Sequence, residues 1–207
     1  MTKENRGIYI ALEGGEGAGK TTVLNLLKEE MLEKQAPFLF VAEPGSTELS
    51  QKIRQLLLHS KESVDIQTEL FLFMAARSDV LHKQIIPALH SGLNVISDRC
   101  FISSVVYQSN DIMPLEEVFW MNKKYFRTPD KIFFLDISPE EAFERKQKEE
   151  FNRFEKKGME FHEQVYSRYK KLVNQGVLTP LDAKQPPEKT VQKILDYVDI
   201  KHISLVV

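Results

Sequence analysis

The chain has 207 residues, 42% of them hydrophobic, and a formal net charge of −2 at pH 7. That length sets a single domain as the expectation, and that charge excludes bulk affinity for nucleic acid or an anionic membrane surface. Cys100 is the one cysteine, which excludes an internal disulfide framework. With no zinc-spaced histidines, no apolar run of membrane-spanning length and a polar start at Met1–Gly7, a cytoplasmic protein is expected.

Ile8 to Leu12 is a short apolar run of the kind a buried parallel strand presents. Gly14-Gly15-Glu16-Gly17-Ala18-Gly19-Lys20-Thr21-Thr22 follows, and Gly14, Gly19, Lys20 and Thr21 satisfy G-x-x-x-x-G-K-[ST]. Val23, Leu24, Leu27 and Met31 then recur at helical spacing. Strand, glycine loop and helix together form a phosphate-binding device. The backbone N–H groups of the loop and the helix start point at phosphate oxygens. In such a device Lys20 reaches the β- and γ-phosphates and the Thr21 hydroxyl binds Mg²⁺.

A second strand is expected over Phe38–Ala42, broken by Glu43-Pro44-Gly45-Ser46, with a helix over Leu49–Leu58. Glu43 lies at a strand's carboxyl end, where α/β sheets place ligands, and reads either as a site residue or as a turn acid. Thr68–His90 reads as one long helix with Leu70, Phe73, Met74, Arg77, Leu81 and Ile85 near one face. Arg77 in that apolar stripe needs a partner, either a substrate oxygen or a structural carboxylate. Phe73, one turn earlier, serves either the core or a flat ligand shared with Arg77.

Asn94–Ser97 ends a third strand and Asp98-Arg99 follows at once. An acid there suits Mg²⁺ or its water shell, and the arginine suits a phosphate; a surface ion pair is the alternative. Ser103–Gln108 reads as helix, which brings Ser104 and Tyr107 toward the same place. Leu115–Lys124 is a further helix with Trp120 as packing. Lys131–Ile137 is a fourth strand, with a helix from near Pro139. Arg145–Lys157 is rich in both charges and poor in apolar surface, so it is either a solvated helix face or a lid that brings arginines to a phosphoryl group. Phe161, Val165, Tyr169 and Leu172 form the next helical stripe. Val177–Ala183 is a fifth strand, at an edge because of Pro180, and Pro187–Val198 a closing helix. Lys201–Val207 reads as an extra strand or a tail. The alternation predicts an α/β fold, a parallel sheet with helices on both faces.

These landmarks, in this order, resemble the thymidylate kinases, from about Ile8 to Val198. The resemblance rests on the glycine loop and on Glu43-Pro44-Gly45-Ser46-Thr47. It rests further on Leu72-Phe73-Met74-Ala75-Ala76-Arg77, on Asp98-Arg99 with Ser103 and Tyr107-Gln108, and on Asn152-Arg153-Phe154-Glu155. It implies a P-loop NTPase fold with five parallel strands, and one nucleoside-monophosphate-kinase-like domain over 1–207 with a small mobile lid at about 145–157. The implied reaction is transfer of the γ-phosphate of ATP to dTMP, with Mg²⁺, in a homodimer. In that resemblance Phe73 stacks on thymine, Arg77 bonds a base oxygen, and Ser104 touches the base. Tyr107 lies against the sugar, and Gln108, Glu43 and Tyr169 belong to the substrate site. Arg99 holds the dTMP phosphate, Glu16 lies near the acceptor phosphate, and Asp98 and Thr21 form the metal environment. Gly17-Ala18 carries no loop arginine, so the resemblance assigns that charge to Arg153 or Arg145. A kinase for another nucleoside monophosphate or deoxynucleoside, and a nucleotide-binding module without turnover, are the alternatives.

Overall fold

The computed structural model describes residues 6–59, 63–145, 154 and 157–203, the last five of these by backbone only. The sheet has five parallel strands in the order β2-β3-β1-β4-β5. These are β1 (Tyr9–Glu13), β2 (Phe38–Ala42), β3 (Asn94–Asp98), β4 (Lys131–Asp136) and β5 (Thr179–Asp182). All of β1 is buried, as its apolar run requires of a strand covered on both faces. Pro180 sits in β5, which pairs only with β4, so the missing N–H costs no ladder bond on an inner strand.

Nine α-helical segments are described: α1 (Lys20–Glu33), α2 (Glu48–His59), α3 (Ile66–Val80), α4 (Ile86–His90), α5 (Phe101–Tyr107), α6 (Leu115–Tyr125), α7 (Pro139–Arg145), α8 (Met159–Asn174) and α9 (Pro187–Ile203). A π-helical turn, Leu81–Ile85, joins α3 to α4, so the long helix expected over Thr68–His90 is one rod with a local change of pitch. Asp65 starts it as a side-chain cap, accepting from the amides of Gln67 and Thr68. On one face of the sheet α1 and α9 share a core built on Leu12, Leu27, Phe133 and Ile194. On the other, α5 and α8 pack Val105, Phe134, Val165 and Tyr169 together.

Two expectations fail here. Trp120 is 61% exposed rather than core. Its ring lies under Lys123 Nζ at 5.1 Å and edge-on to Phe119. A helical apolar residue marks a face but not what lies opposite it. Residues 201–203 continue α9 rather than starting a strand, and 204–207 lie outside the described residues.

Register positions the site. Asp98 is level with Leu12 of β1 and with Ala42 of β2. Glu13, Glu43 and Arg99 therefore leave three adjacent strands at one height on the carboxyl edge of the sheet, where open α/β sheets bind ligands.

Candidate active site

Gly19, at φ 90°, is the N-cap of α1, and the loop before it curls over the end of β1. Lys20 is buried there and donates from Nζ to the carbonyls of Gly14 (2.9 Å) and Gly15 (2.8 Å). Burial, reinforced by the nearby Arg99 charge, lowers its ammonium to a pKa of about 8. Gly17, at φ 74°, lies against α7: a Cβ there would stand 2.6 Å from the Ala142 carbonyl oxygen. Packing therefore bars an arginine at that loop position.

The loop opens into a broad cleft lined by Glu16 through Val23, Asp98, Arg99, Arg145 and the Ala183–Pro187 turn. Gly14 and Gly15 stand apart from that lining; their part is to hold Lys20. Thr21 and Asp98 face the same cleft. Asp98 Oδ1 is buried with no hydrogen-bond partner among the described residues. An orphaned carboxylate oxygen beside a phosphate loop and a hydroxyl is a donor set that fits a hydrated Mg²⁺. No group of three or more His, Cys, Asp or Glu able to hold a metal occurs among the described residues, so the fit is to an ion carried largely by phosphate and water. Arg145 donates to the Ala183 carbonyl at 2.8 Å on the rim. Arg153 lies outside the described residues.

A second pocket lies beside the first. Phe73, Arg77, Ser104, Tyr107 and Gln108 all line it, as does Phe154, whose ring lies 5.9 Å from Phe73 and 6.2 Å from Tyr107. Glu16, Glu43, Arg54 and Arg99 line both pockets. Arg99 is the hinge between them. One terminal nitrogen donates to Glu16 Oε1 at 2.7 Å; the other donates to the Gly14 carbonyl at 3.2 Å and Ser103 Oγ at 3.1 Å. The guanidinium lies 5.5 Å from the Tyr107 ring centre. Arg99 takes φ 69°, a left-handed backbone that costs a side-chain-bearing residue about 1–2 kcal/mol. The Leu12 carbonyl accepts its N–H, and Ser97 Oγ donates to its carbonyl. Tyr107 donates to Glu16 at 3.3 Å, and burial followed by the Glu16 charge keeps its phenol protonated.

Arg77 has a protein partner, the carboxylate of Glu43, which is one of its two expected readings. Nε donates to Glu43 Oε2 at 2.7 Å, one terminal nitrogen to Ser104 Oγ and Asn122 Oδ1, and the other to the Cys100 carbonyl. Of five N–H groups, one is left for the pocket by that count. Glu43 is correspondingly not an open ligand: Tyr9 donates to its second oxygen at 3.0 Å. Burial raises its carboxyl above the ordinary range even with Arg77 opposing. Tyr169, expected near the substrate, does not line the pocket that holds Phe73 and Arg77. It is fully buried, stacks on Phe134 and donates to Glu13 Oε2 at 2.7 Å. It lines a small cavity behind Gly15 and Glu16 instead.

Sequence reasoning missed Arg54, Phe154, Asn122 and Glu13. Arg54 projects from the exposed side of α2 and donates to the Pro44 carbonyl at 3.0 Å, where nothing in the local pattern marks it. Phe154 lies inside a motif already singled out and Glu13 directly before one, but only their neighbours had a stated chemistry.

A family model for thymidylate kinase matches residues 12–194. The thymidylate kinase of Shouchella clausii is 41% identical over 175 residues, spanning 81% of this chain and 82% of that protein. Those of Carboxydothermus hydrogenoformans and Protochlamydia amoebophila are 33% and 34% identical, each across 94% of this chain and 98% and 93% of the relative. The phosphate loop, the aromatic pocket beside it and these matches agree, and the chain belongs to the thymidylate kinase family.

Proposed function

We propose that the chain transfers the γ-phosphate of ATP to dTMP, giving dTDP and ADP. The observation that carries this reading is the meeting of the two pockets at Glu16, Arg54 and Arg99. ATP enters the loop cleft and dTMP the aromatic pocket, so their phosphates face each other across Arg99. The acceptor is already an ionised phosphate, so no strong base is required. Catalysis consists of positioning and charge neutralisation.

Lys20 holds the β- and γ-phosphates, and the amides of Gly17, Ala18, Gly19, Thr21 and Thr22 cradle them. Arg99 and Arg54 grip the dTMP phosphate, and Glu16 keeps Arg99 aimed. Phe73 stacks on thymine between Phe154 and the pocket wall. Ser104 and Gln108 address the base edge together with the remaining N–H of Arg77, and Tyr107 presses on the sugar. Thr21 and Asp98 are the residues that would hold Mg²⁺, which would neutralise phosphate charge there. Arg145 or Arg153 supplies a further positive charge at the transferring group. A single domain, a cytoplasmic location and a homodimer complete the proposal. Support for the dimer comes from the exposed Leu49 and Leu56 on α2 and Phe71 on α3, which offer apolar surface to a second copy.

The test is a coupled ADP-release assay with ATP, Mg²⁺ and a panel of monophosphates and nucleosides. Turnover with dTMP well above dUMP, dCMP, dGMP and thymidine supports the reading. Preference for another acceptor keeps the phosphate chemistry and overturns the base pocket. No turnover with any acceptor, with ATP still bound, favours the binding-module alternative.

Two predictions follow from named side chains. Phe73→Ala is expected to raise KM for dTMP roughly 10–100-fold, since base–aromatic stacking contributes about 1–3 kcal/mol per base. KM for ATP should stay within about twofold, and equal rises for both substrates would rule out the stacking role. The second concerns Lys20, whose ammonium stands at about 8 in the free protein. Phosphates favour its charged form, so above that pH ATP binding takes up a proton and affinity falls as pH rises. Calorimetry at about pH 8.5, in two buffers of different ionisation enthalpy, should show this uptake, and Lys20→Met should lose it. The same proton count in the variant would refute the assignment.

A further inference from the structure

Glu13 takes no part in the contacts assigned to either nucleotide, yet it is fully buried at the point where β1 becomes the phosphate loop. Its carboxylate accepts four hydrogen bonds. Oε1 receives the amides of Cys100 (2.8 Å) and Ser103 (3.1 Å); Oε2 receives the hydroxyls of Ser103 (2.8 Å) and Tyr169 (2.7 Å). Those amides belong to the start of α5, where Cys100 offers no side-chain cap of its own. A carboxylate from another strand supplies the acceptor that the helix start lacks.

The consequence reaches Arg99. Ser103 Oγ gives its hydrogen to Glu13 and so presents a lone pair to the Arg99 guanidinium at 3.1 Å. The chain Arg99–Ser103–Glu13–Tyr169 thus runs from the junction of the two pockets into the core. Every hydroxyl along it has a fixed donor direction. Burial, with the Glu13 charge next, pushes the Tyr169 phenol well above its ordinary value, so it stays a donor. Arg99 also holds a left-handed backbone directly before this helix start, a conformation that persists only when its surroundings fix it.

We propose that Glu13 is a further positioning residue that, beside the direct contact of Glu16, aims Arg99 at the acceptor phosphate, acting through Ser103 and the start of α5, with Tyr169 locking it from behind. This rests on the kinase reading, in which Arg99 grips the dTMP phosphate. It assigns Tyr169 to the acceptor site's support instead of to substrate contact.

Glu13→Gln keeps the shape and breaks the logic. The two amides still demand the remaining carbonyl oxygen. The new NH₂ group then faces the Ser103 and Tyr169 hydroxyls as a donor, so both lose their acceptor and the Ser103 hydrogen is no longer held away from Arg99. The affinities of dTMP and thymidine, measured by calorimetry on the full chain, separate positioning from general damage, because thymidine lacks the phosphate. Expected for Glu13→Gln is a loss of about tenfold or more in dTMP affinity, the scale of a charge-assisted contact. Thymidine affinity should stay within about twofold, and kcat for dTMP should fall in step. Tyr169→Phe, a gentler change should Glu13→Gln fail to fold, should show the same phosphate-selective pattern at smaller size. Equal losses for both ligands, or none, would overturn the proposal. Turnover of dTMP by the unaltered protein tests the kinase reading separately. An unaltered protein that turns over dTMP but binds it no tighter than thymidine would overturn the role of Glu13 alone.

Discussion

Arg99→Met is expected to lower kcat/KM for dTMP by about a thousandfold or more, the lower end of what arginines contribute in phosphoryl transfer. The size follows from where the guanidinium sits. It lines both pockets, so it faces the acceptor phosphate and the loop that holds the donor. It is also prearranged: Glu16, the Gly14 carbonyl and Ser103 fix its two terminal nitrogens before any substrate arrives. A charge held in advance needs little reorganisation as charge develops, which makes it worth more than a mobile one. Methionine retains the reach of the stem and its contact with the Tyr107 face while removing the charge. Arg99→Lys should recover little, because an ammonium cannot reproduce two directed contacts and a flat stack together. The measurement is steady-state turnover with dTMP beside thymidine binding. A loss under tenfold, or an equal loss of thymidine binding, would remove Arg99 from the transfer step.

Much of this was legible in the sequence because local rules carried it. The apolar run before Gly14, the glycines and the helical stripe after Lys20 specify strand, loop and helix within one stretch of chain. Pro180 announced the edge strand through its missing N–H. Phe73 and Arg77 lie one helical turn apart, so spacing allowed a shared pocket while leaving the core open for Phe73. What stayed hidden depended on distant partners. Spacing showed that Arg77 needed an acceptor but not that Glu43, 34 residues away, was it. Tyr169 and Glu13 are 156 residues apart, and the helical stripe that marked Tyr169 as buried could not tell a core anchor from a substrate contact. Arg54 gave no signal because a charge on an exposed helix side is the ordinary case. Trp120 misled for the opposite reason, since an apolar side chain on an amphipathic helix is usually covered and this one is not.

The second large effect concerns stability. Arg77 and Glu43 form an ion pair whose side chains are 4% and 1% exposed. Arg77→Leu strips Glu43 of its guanidinium and leaves Tyr9 as its remaining partner. It also removes the donors to Ser104, Asn122 and the Cys100 carbonyl. Breaking one side of a buried pair typically costs about 3–5 kcal/mol. Urea unfolding should therefore show a stability loss of that size, read as the midpoint shift multiplied by an unchanged slope. The pH dependence gives the cause away. Burial already raises the Glu43 carboxyl, and Arg77 is the main influence holding it down. Without Arg77 the folded-state value rises further above the unfolded one, about 4.3 for a glutamate. A group raised in the folded state contributes most below its unfolded value and loses that contribution as pH rises through the folded value. The Arg77→Leu deficit should accordingly be smaller at about pH 5 than at about pH 8, because a protonated Glu43 tolerates burial without a cation. Glu43→Gln in the Arg77→Leu background should abolish that pH dependence and recover part of the lost stability. A deficit that is the same at both pH values would show that lost packing around the guanidinium, rather than the stranded carboxylate, sets the cost.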